Sequence, residues 1–422
     1  MVYETIDMYI RKGSNVYGVL MDCTKAFDTV KHSTLFKKLL EANLPPIFVR
    51  LLVFMYRKQT ADVRWRSTFS YEFTLRNGVR QGAVLSPLLF CFYMNNLFNL
   101  LRKAGAGCLI DDYYAGVFGY ADDLLLLCPS RDGIQKMLKI AEDYANDHKI
   151  AFSTDPNPDK SKTKGIIFSK NPPENPPVPV YLNGNPLPWV NSAKYLGNRL
   201  TSNQDGYQKD AQEKRAKFIS RNVELNQEFY FAHPVVKCRM NHIYNSSFSG
   251  SILWDLKGDK TNQIINSWSV AVRHMWNLPF NAHRMFIESL GGTHAQVMIY
   301  TRYINFLQSI RKSNKLGVIY LLEKVHLDLE TMTGQNIRHI LDQINEKEIF
   351  KVKSRELKRK FKFKELPKEQ QWKVNMMKEI TDIKHNVVVL SSEDQNELDD
   401  HQDKNNFTVD ELNEILSFIA TS

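Results

Sequence analysis

Three aspartates hold the chemistry this sequence offers. Asp22 ends the apolar run from Tyr17 to Met21, and Asp122 and Asp123 stand side by side within Phe118 to Leu127. Adjacent carboxylates bounded by apolar residues repel each other and lose water, which destabilises a fold. A divalent cation that accepts their oxygens removes the problem. Three acids at strand ends are also the ligand set for two divalent cations roughly 4 Å apart, the arrangement that supports phosphoryl transfer. One metal lowers the pKa of an attacking hydroxyl, and the other neutralises charge on a triphosphate and its leaving pyrophosphate. Rigid strand ends are required, because metals displaced by about 1 Å lose the in-line geometry. Taken alone, Tyr120-Ala121-Asp122-Asp123 equally suits an ordinary turn, since Asp is a common turn residue.

The elements that must position these acids are readable from periodicity. Residues 17–21 read as a buried strand, followed by a turn through Asp28 and a helix from Leu35 to about Ala42 with Ser33 as its cap. Pro45 and Pro46 open another helix through Arg57, with Phe48, Leu51, Leu52 and Met55 on one face. Val63 to Arg66 and Phe73 to Leu75 are candidate strands. Pro87 suits a helix start, and Leu88 to Leu101 reads as a buried helix. Val117 to Tyr120 and Leu124 to Leu127 read as two strands of a tight hairpin with Asp122 and Asp123 at its tip. A helical pattern through Ile134, Met137, Leu138, Ala141 and Tyr144 follows. Strands near 150–153 and 163–168 come next, then a proline-rich stretch (171–179) and a hairpin turning at Asn183-Gly184-Asn185. Beyond about Asp205 the patterns are helical.

At 422 residues with 43% hydrophobic content, the chain is long enough for more than one cored domain. The expected organisation is α+β over 1–170, a linker and hairpin over 171–200, a helical region over 201–345, and a charged tail over 346–422. A formal net charge of +10 suits a polyanionic partner. Five scattered cysteines, with no C-x-x-C pair, argue against a disulfide framework or zinc site and for a reducing compartment. No apolar run approaches a membrane span, and no signal-peptide profile is present. An intracellular protein without membrane contact is expected.

The order Asp22-x5-Asp28, then Arg80-Gln81-Gly82-x3-Ser86-Pro87, then Tyr120-Ala121-Asp122-Asp123 resembles motifs A, B and C of reverse transcriptases. Residues 16–32, V-Y-G-V-L-M-D-C-T-K-A-F-D-T-V-K-H, look like the version found in LINE-type (non-LTR retrotransposon) enzymes. Residues 156–164, P-N-P-D-K-S-K-T-K, resemble motif D, and Tyr195-Leu196-Gly197 resembles motif E. The stretches 278–284 and 300–303 are similar to the region after the polymerase in Jockey-like elements. The likeness thus covers about residues 1 to 315. It implies an antiparallel palm sheet with packed helices, followed by a mostly helical thumb and C-terminal region.

It also implies an RNA-directed DNA polymerase with an RNA template, a DNA primer and deoxynucleoside triphosphates, and two Mg2+ or Mn2+ ions. By this resemblance Asp22, Asp122 and Asp123, with the Cys23 carbonyl, would hold metal. Phe27 would be the steric gate against a ribose 2′-OH, and it also suits a core phenylalanine. Arg80, Gln81 and Gly82 would lie near the incoming nucleotide and template. Lys160 would protonate pyrophosphate as a general acid, with Lys162 and Lys164 as near alternatives. Tyr195, Leu196 and Gly197 would grip the primer, although Leu196 equally suits a buried strand end. An RNA-copying RNA polymerase fits less well, because Phe27 suits a deoxynucleotide selector and Gly-Asp-Asp is absent.

Several other residues read as structural. Asp28 caps or pairs locally, Asp111 and Asp112 suit a solvated loop, and His32, His148 and His283 have no second ligand at metal spacing. Trp254, Trp268 and Trp276 recur at helical spacing and suit a core better than a base-stacking surface. The basic run 351–364 suits phosphate binding or a solvated helix face. With about 20 residues before Asp22, the family's fingers and upstream endonuclease are expected to be missing. A catalytically silent remnant that only binds nucleic acid is therefore the alternative reading. Nuclear localisation follows if the chain acts in retrotransposition.

Overall fold

The computed structural model describes residues 1–157, 160–171, 178–282, 287, 289–353, 355, 357 and 372–382. The expectations for Pro158, Asp159, His283 and Arg284, for 172–177 of the proline-rich stretch, for most of the basic run and for the tail beyond 382 fall outside them. The chain divides into two compact units, Met1–Gly206 and Tyr207–Ser422.

The first unit opens with helix α1 (Val2–Arg11) and the long strand β1 (Val16–Thr24). A short helical turn α2 (Ala26–Thr29), α3 (His32–Glu41) and α4 (Pro46–Arg57) follow. Two nested two-residue ladders come next, β2 (Thr60–Ala61) with β5 (Phe73–Thr74) around β3 (Arg64–Trp65) with β4 (Thr68–Phe69). Helix α5 (Ser86–Lys103) leads through the small hairpin β6 (Leu109–Ile110) and β7 (Tyr113–Tyr114) to β8 (Val117–Tyr120) and β9 (Asp123–Cys128). Then come α6 (Arg131–His148), β10 (Ala151–Phe152), β11 (Lys164–Phe168), the hairpin β12 (Tyr181–Leu182) and β13 (Asn185–Pro186), and the hairpin β14 (Ser192–Tyr195) and β15 (Asn198–Thr201).

One antiparallel sheet organises this unit, in the order β10-β1-β9-β8 with β11 pairing the first half of β1. Both of its faces are covered, so Leu124 to Leu127 form a continuous apolar run rather than an alternating one. Val19, Met21, Leu124 and Leu126 pack with Leu35 of α3, Phe90 and Tyr93 of α5, and Leu138 of α6. Val16, Leu125, Leu127, Ile166 and Phe168 pack on the opposite face with Ile6 and Ile10 of α1 and Leu200 of β15. Each leucine of the run is at most 1% exposed, which is worth about 2 kcal/mol apiece. Gly119 sits where α5 presses on β8, since a Cβ there would meet the Phe98 ring at 2.5 Å.

One local expectation is corrected. Helix α3 begins at His32, so Ser33 lies inside it and is not its cap. The chain is already fixed at that point, by the Gly78 amide donating to the Val30 carbonyl at 2.8 Å and by a bridge between Lys31 and Asn77. Helix α4 buries Val49 and Tyr56, while Phe48, Leu51 and Met55 stay more than half exposed.

The second unit is helical: α7 (Gly206–Glu228), α8 (Pro234–Met240), α9 (Asp259–Met275), α10 (Ala295–Arg311), α11 (Leu316–Val325) and α12 (Met332–Ile344). Trp254, Trp268 and Trp276 are all buried in its core, together with Tyr300, Tyr303 and Ile340. The Trp254 indole donates to Asp210 Oδ2 at 2.8 Å, and Asn336 donates to the Trp254 carbonyl at 2.8 Å. These tryptophans are therefore core, as their spacing indicated. No helix among the described residues is long and apolar enough to cross a membrane.

Candidate active site

The β8–β9 hairpin closes with a two-residue loop, Ala121-Asp122, between paired Tyr120 and Asp123. Ala121 takes φ +53°, the left-handed conformation that hairpin loops of this length require at their first position. On the other side of β9, Asp22 of β1 pairs directly with Asp123. Residues directly opposite in an antiparallel pair project to the same face. Here that face holds Leu20 and Leu125, not Met21 and Leu124. Two carboxylates therefore lie side by side at one end of the sheet, with a third in the adjoining loop.

Electrostatics reports the same gathering. The Asp123 carboxyl is raised above its ordinary pKa by burial, then by Asp122 and by Asp22. The Cys23 thiol is pushed up to about 12 by burial, then by Asp122, Asp22 and Asp123 in that order. The donor chemistry fits hard divalent cations, since Asp22 and Asp123 offer carboxylate oxygens at strand ends and Asp122 offers its own from the adjoining loop. The fit is one of placement and charge. Among the described residues, no three Asp, Glu, His or Cys side chains are drawn close enough to form a finished metal cage.

The rim of this site is basic. A cavity of about 240 Å³ is lined by Asp22 and Asp123 together with Lys162, Lys164, Lys194 and Tyr195. Lys162 Nζ stands 3.9 Å from Asp22 Oδ2, and the Asp22 amide donates to Thr163 Oγ1 at 3.3 Å. The β1–β11 ladder ends with Leu20 opposite Lys164, so the residues just before Lys164 come up beside Asp22. Lys160 is exposed, and its amide is turned back onto the Asn157 carbonyl at 3.0 Å. Of Lys160, Lys162 and Lys164, the latter two line the cavity with Asp22, and Lys162 forms an ion pair with it. Thr163 went unmarked in the sequence, although the alternation K-S-K-T-K was a signal: Ser161 and Thr163 are buried while Lys160 and Lys162 face out.

Tyr195 reaches the hairpin from β14. Its hydroxyl donates to the Phe118 carbonyl at 3.2 Å, and its pKa is pushed up to about 12 by burial and then by Asp123. Leu196 and Gly197 form a two-residue loop with φ +49° and +79°. Leu196 is 46% exposed at the tip of that loop, so it is not a buried strand end. A large apolar side chain held out to solvent in a left-handed conformation is strained, and such strain clusters at sites of function.

Phe27 is half-buried and packs on Phe90, with ring centroids 5.1 Å apart. The glycine-rich segment is fastened beneath it, the Val79 amide donating to the Phe27 carbonyl at 2.7 Å. Gly78 takes φ +91°, and a Cβ there would press on the backbone of Phe27 and Asp28 at 3.1 to 3.2 Å. Arg80, Gln81 and Gly82 are exposed in the turn before α5. His32 is structural, its Nε2 bonded to the Gly78 carbonyl at 2.7 Å. His148 is structural too, stacked on Tyr144 at 3.9 Å, and Asp28 and Asp112 are exposed.

Residues 3–200 match the family model "Reverse transcriptase (RNA-dependent DNA polymerase)". The chain is similar to a probable RNA-directed DNA polymerase from the X-element transposon of Drosophila melanogaster. That match is 30% identical over 190 residues, 43% of this chain and 19% of that protein. It is also similar to a retrovirus-related Pol polyprotein from the type-1 retrotransposable element R2 of Nasonia vitripennis. Here identity is 32% over 131 residues, 31% of this chain and 13% of that protein. The chain thus spans a fifth or less of the length of these two curated relatives. A telomerase structure from Candida albicans, solved with a fragment of telomeric RNA, aligns with a TM-score of 0.36 and 13% identity over 76% of this chain and 54% of that one. Residues 3–200 thus match the reverse transcriptase family, and the curated relatives that share this stretch are proteins of transposable elements.

Proposed function

We propose that this chain extends a DNA 3′ end by copying an RNA template, using deoxynucleoside triphosphates. The observation that carries the reading is the register of Asp22 against Asp123, with Asp122 in the next loop and a lysine-lined cavity alongside. Asp22, Asp122 and Asp123, with the Cys23 carbonyl, would hold two Mg2+ or Mn2+ ions, which supply an activated 3′-hydroxyl and neutralise phosphate charge.

The remaining roles belong to the chain itself. Lys162, Lys164 and Lys194 attract the triphosphate into the cavity. Lys162 is better placed than Lys160 to give a proton to the leaving pyrophosphate. Phe27, backed by Phe90 and by the Val79 amide, is stiff enough to exclude a 2′-OH by clash. Gln81 and Gly82, in the exposed turn with Arg80, face the nucleotide and template. Tyr195, Leu196 and Gly197 steady the primer end.

Template-primed extension by the purified chain tests this reading. Asp22→Asn and Asp122→Asn should each abolish extension, whereas Phe27→Val should raise ribonucleotide use and keep much of the rate. Extension that survives either Asp substitution would sink the metal-site assignment. Unchanged sugar preference in Phe27→Val would remove the gate.

A further inference from the structure

The start of the basic run is anchored in the core of the second unit. Ile349, Val352 and Leu357 are buried in the helical core, and Gln308 Nε2 donates to the Val352 carbonyl at 2.8 Å. Between these anchors Lys351, Lys353 and Arg355 turn outward and are exposed. They share a cavity of about 550 Å³ with Arg311 and Lys312 from the C-terminal end of α10. Five cationic side chains thus line one concavity, and none of its described lining residues is acidic. Glu348 pairs with Lys351 from beside it, at 2.7 Å.

The Arg311 guanidinium lies over the Phe350 ring at 4.6 Å. Both residues line the same cavity, and an arginine over an aromatic ring offers an unpaired base a place to stack. Cations gathered around one hollow favour an anion seated there.

We propose that this cavity binds single-stranded nucleic acid, its cations on successive phosphates and the Arg311–Phe350 stack against a base. A hollow of this size admits a phosphodiester and its nucleoside. The site lies in the second unit and uses none of the residues assigned to polymerisation, so it stands or falls separately from that function.

The test is fluorescence anisotropy of the full chain with a labelled single strand of about 12 nucleotides, as RNA and as DNA. No divalent cation or nucleotide is added, so the outcome does not depend on polymerisation. Across about 50 to 200 mM salt, K351Q/K353Q/R355Q should weaken binding at least about tenfold and lower the slope of log K against log salt by roughly 2, about 0.7 for each phosphate no longer neutralised. Lys312→Gln, on the other wall, should act in the same direction with a drop of about 0.7. K351R/K353R should retain the affinity.

An unchanged affinity and slope in both glutamine variants would overturn the proposal. Weakened binding in the arginine variant would also overturn it, since charge would then not be what matters. Displacement of the strand by polyglutamate at equal charge would reassign the cavity to an acidic peptide, and displacement by inorganic pyrophosphate would reassign it to a small anion.

Discussion

Asp22 and Asp123 face each other across a ladder whose other pairs are apolar, and like charges directly opposite destabilise a sheet. The folded pKa of Asp123 is above its ordinary value. Between those two values the folded chain keeps a proton that the unfolded chain has lost, so stability falls as pH rises through that window. Asp123→Asn should therefore stabilise the metal-free protein at neutral pH by roughly 0.2–1 kcal/mol, toward the low end because the group is solvent-screened. The urea midpoint reads this. Added Mg2+ should raise the wild-type midpoint more than the variant's, since only binding to the folded form stabilises, and equal shifts would refute the assignment. Leu196 offers a separable case. Asn tolerates the left-handed conformation that Leu196 holds at φ +49°, so Leu196→Asn should stabilise by about 0.5–1 kcal/mol. If the exposed leucine touches the primer end, extension should fall although stability rises; a variant that is more stable and fully active would free Leu196 of that role.

Helices α3, α5 and α6 enclose a lysine with no acid at its tip. Lys38 Nζ donates to the Tyr93 carbonyl at 2.7 Å and to the Tyr144 hydroxyl at 2.6 Å, and burial lowers its pKa to about 8, partly opposed by Glu41. The unfolded chain holds that proton up to the ordinary value of 10.5, so stability should rise as the pH climbs from about 8 toward 10.5. Lys38→Met should flatten this rise and be at least as stable as wild type at pH 7. A wild-type midpoint that is level between pH 8 and pH 10 would contradict the buried charge. Nothing in the sequence marked Lys38, because on a one-dimensional helix pattern it is one more solvated lysine. The β8–β9 hairpin was legible for the opposite reason: two short apolar runs flank a pair of acids, and the second run is buried throughout as such a pattern requires. Lys162 was only half legible. Choosing it over Lys160 depends on β1–β11 register, which places Lys164 against Leu20 and is set by pairing between distant strands. The extent of α4 was readable, but not which of its faces would stay in solvent. That depends on what packs against the helix, which spacing cannot tell.

At the scale of the whole molecule, the cores follow the division of the chain. The two cores around the sheet use residues between Ile6 and Leu200, and the helical core uses residues from Ala211 onward. A unit ending at Gly206 lies within the usual size of a self-sufficient domain. Residues 1–206 alone should therefore unfold in one cooperative transition, and that transition should carry the rise in stability from pH 8 to 10 that Lys38 gives the full chain. The exposed apolar face of α4 limits the solubility of this fragment, since Phe48, Leu51 and Met55 are each more than half exposed and contiguous apolar patches drive association. Sedimentation should show association growing with concentration. Leu51→Lys should reduce it while leaving the unfolding midpoint within about 0.5 kcal/mol of the parent, as for any substitution at a solvated position. A fragment that unfolds without cooperativity would show that the sheet needs the helical unit in order to fold. A Leu51→Lys fragment that loses several kcal/mol would show that the α4 face is packed rather than exposed.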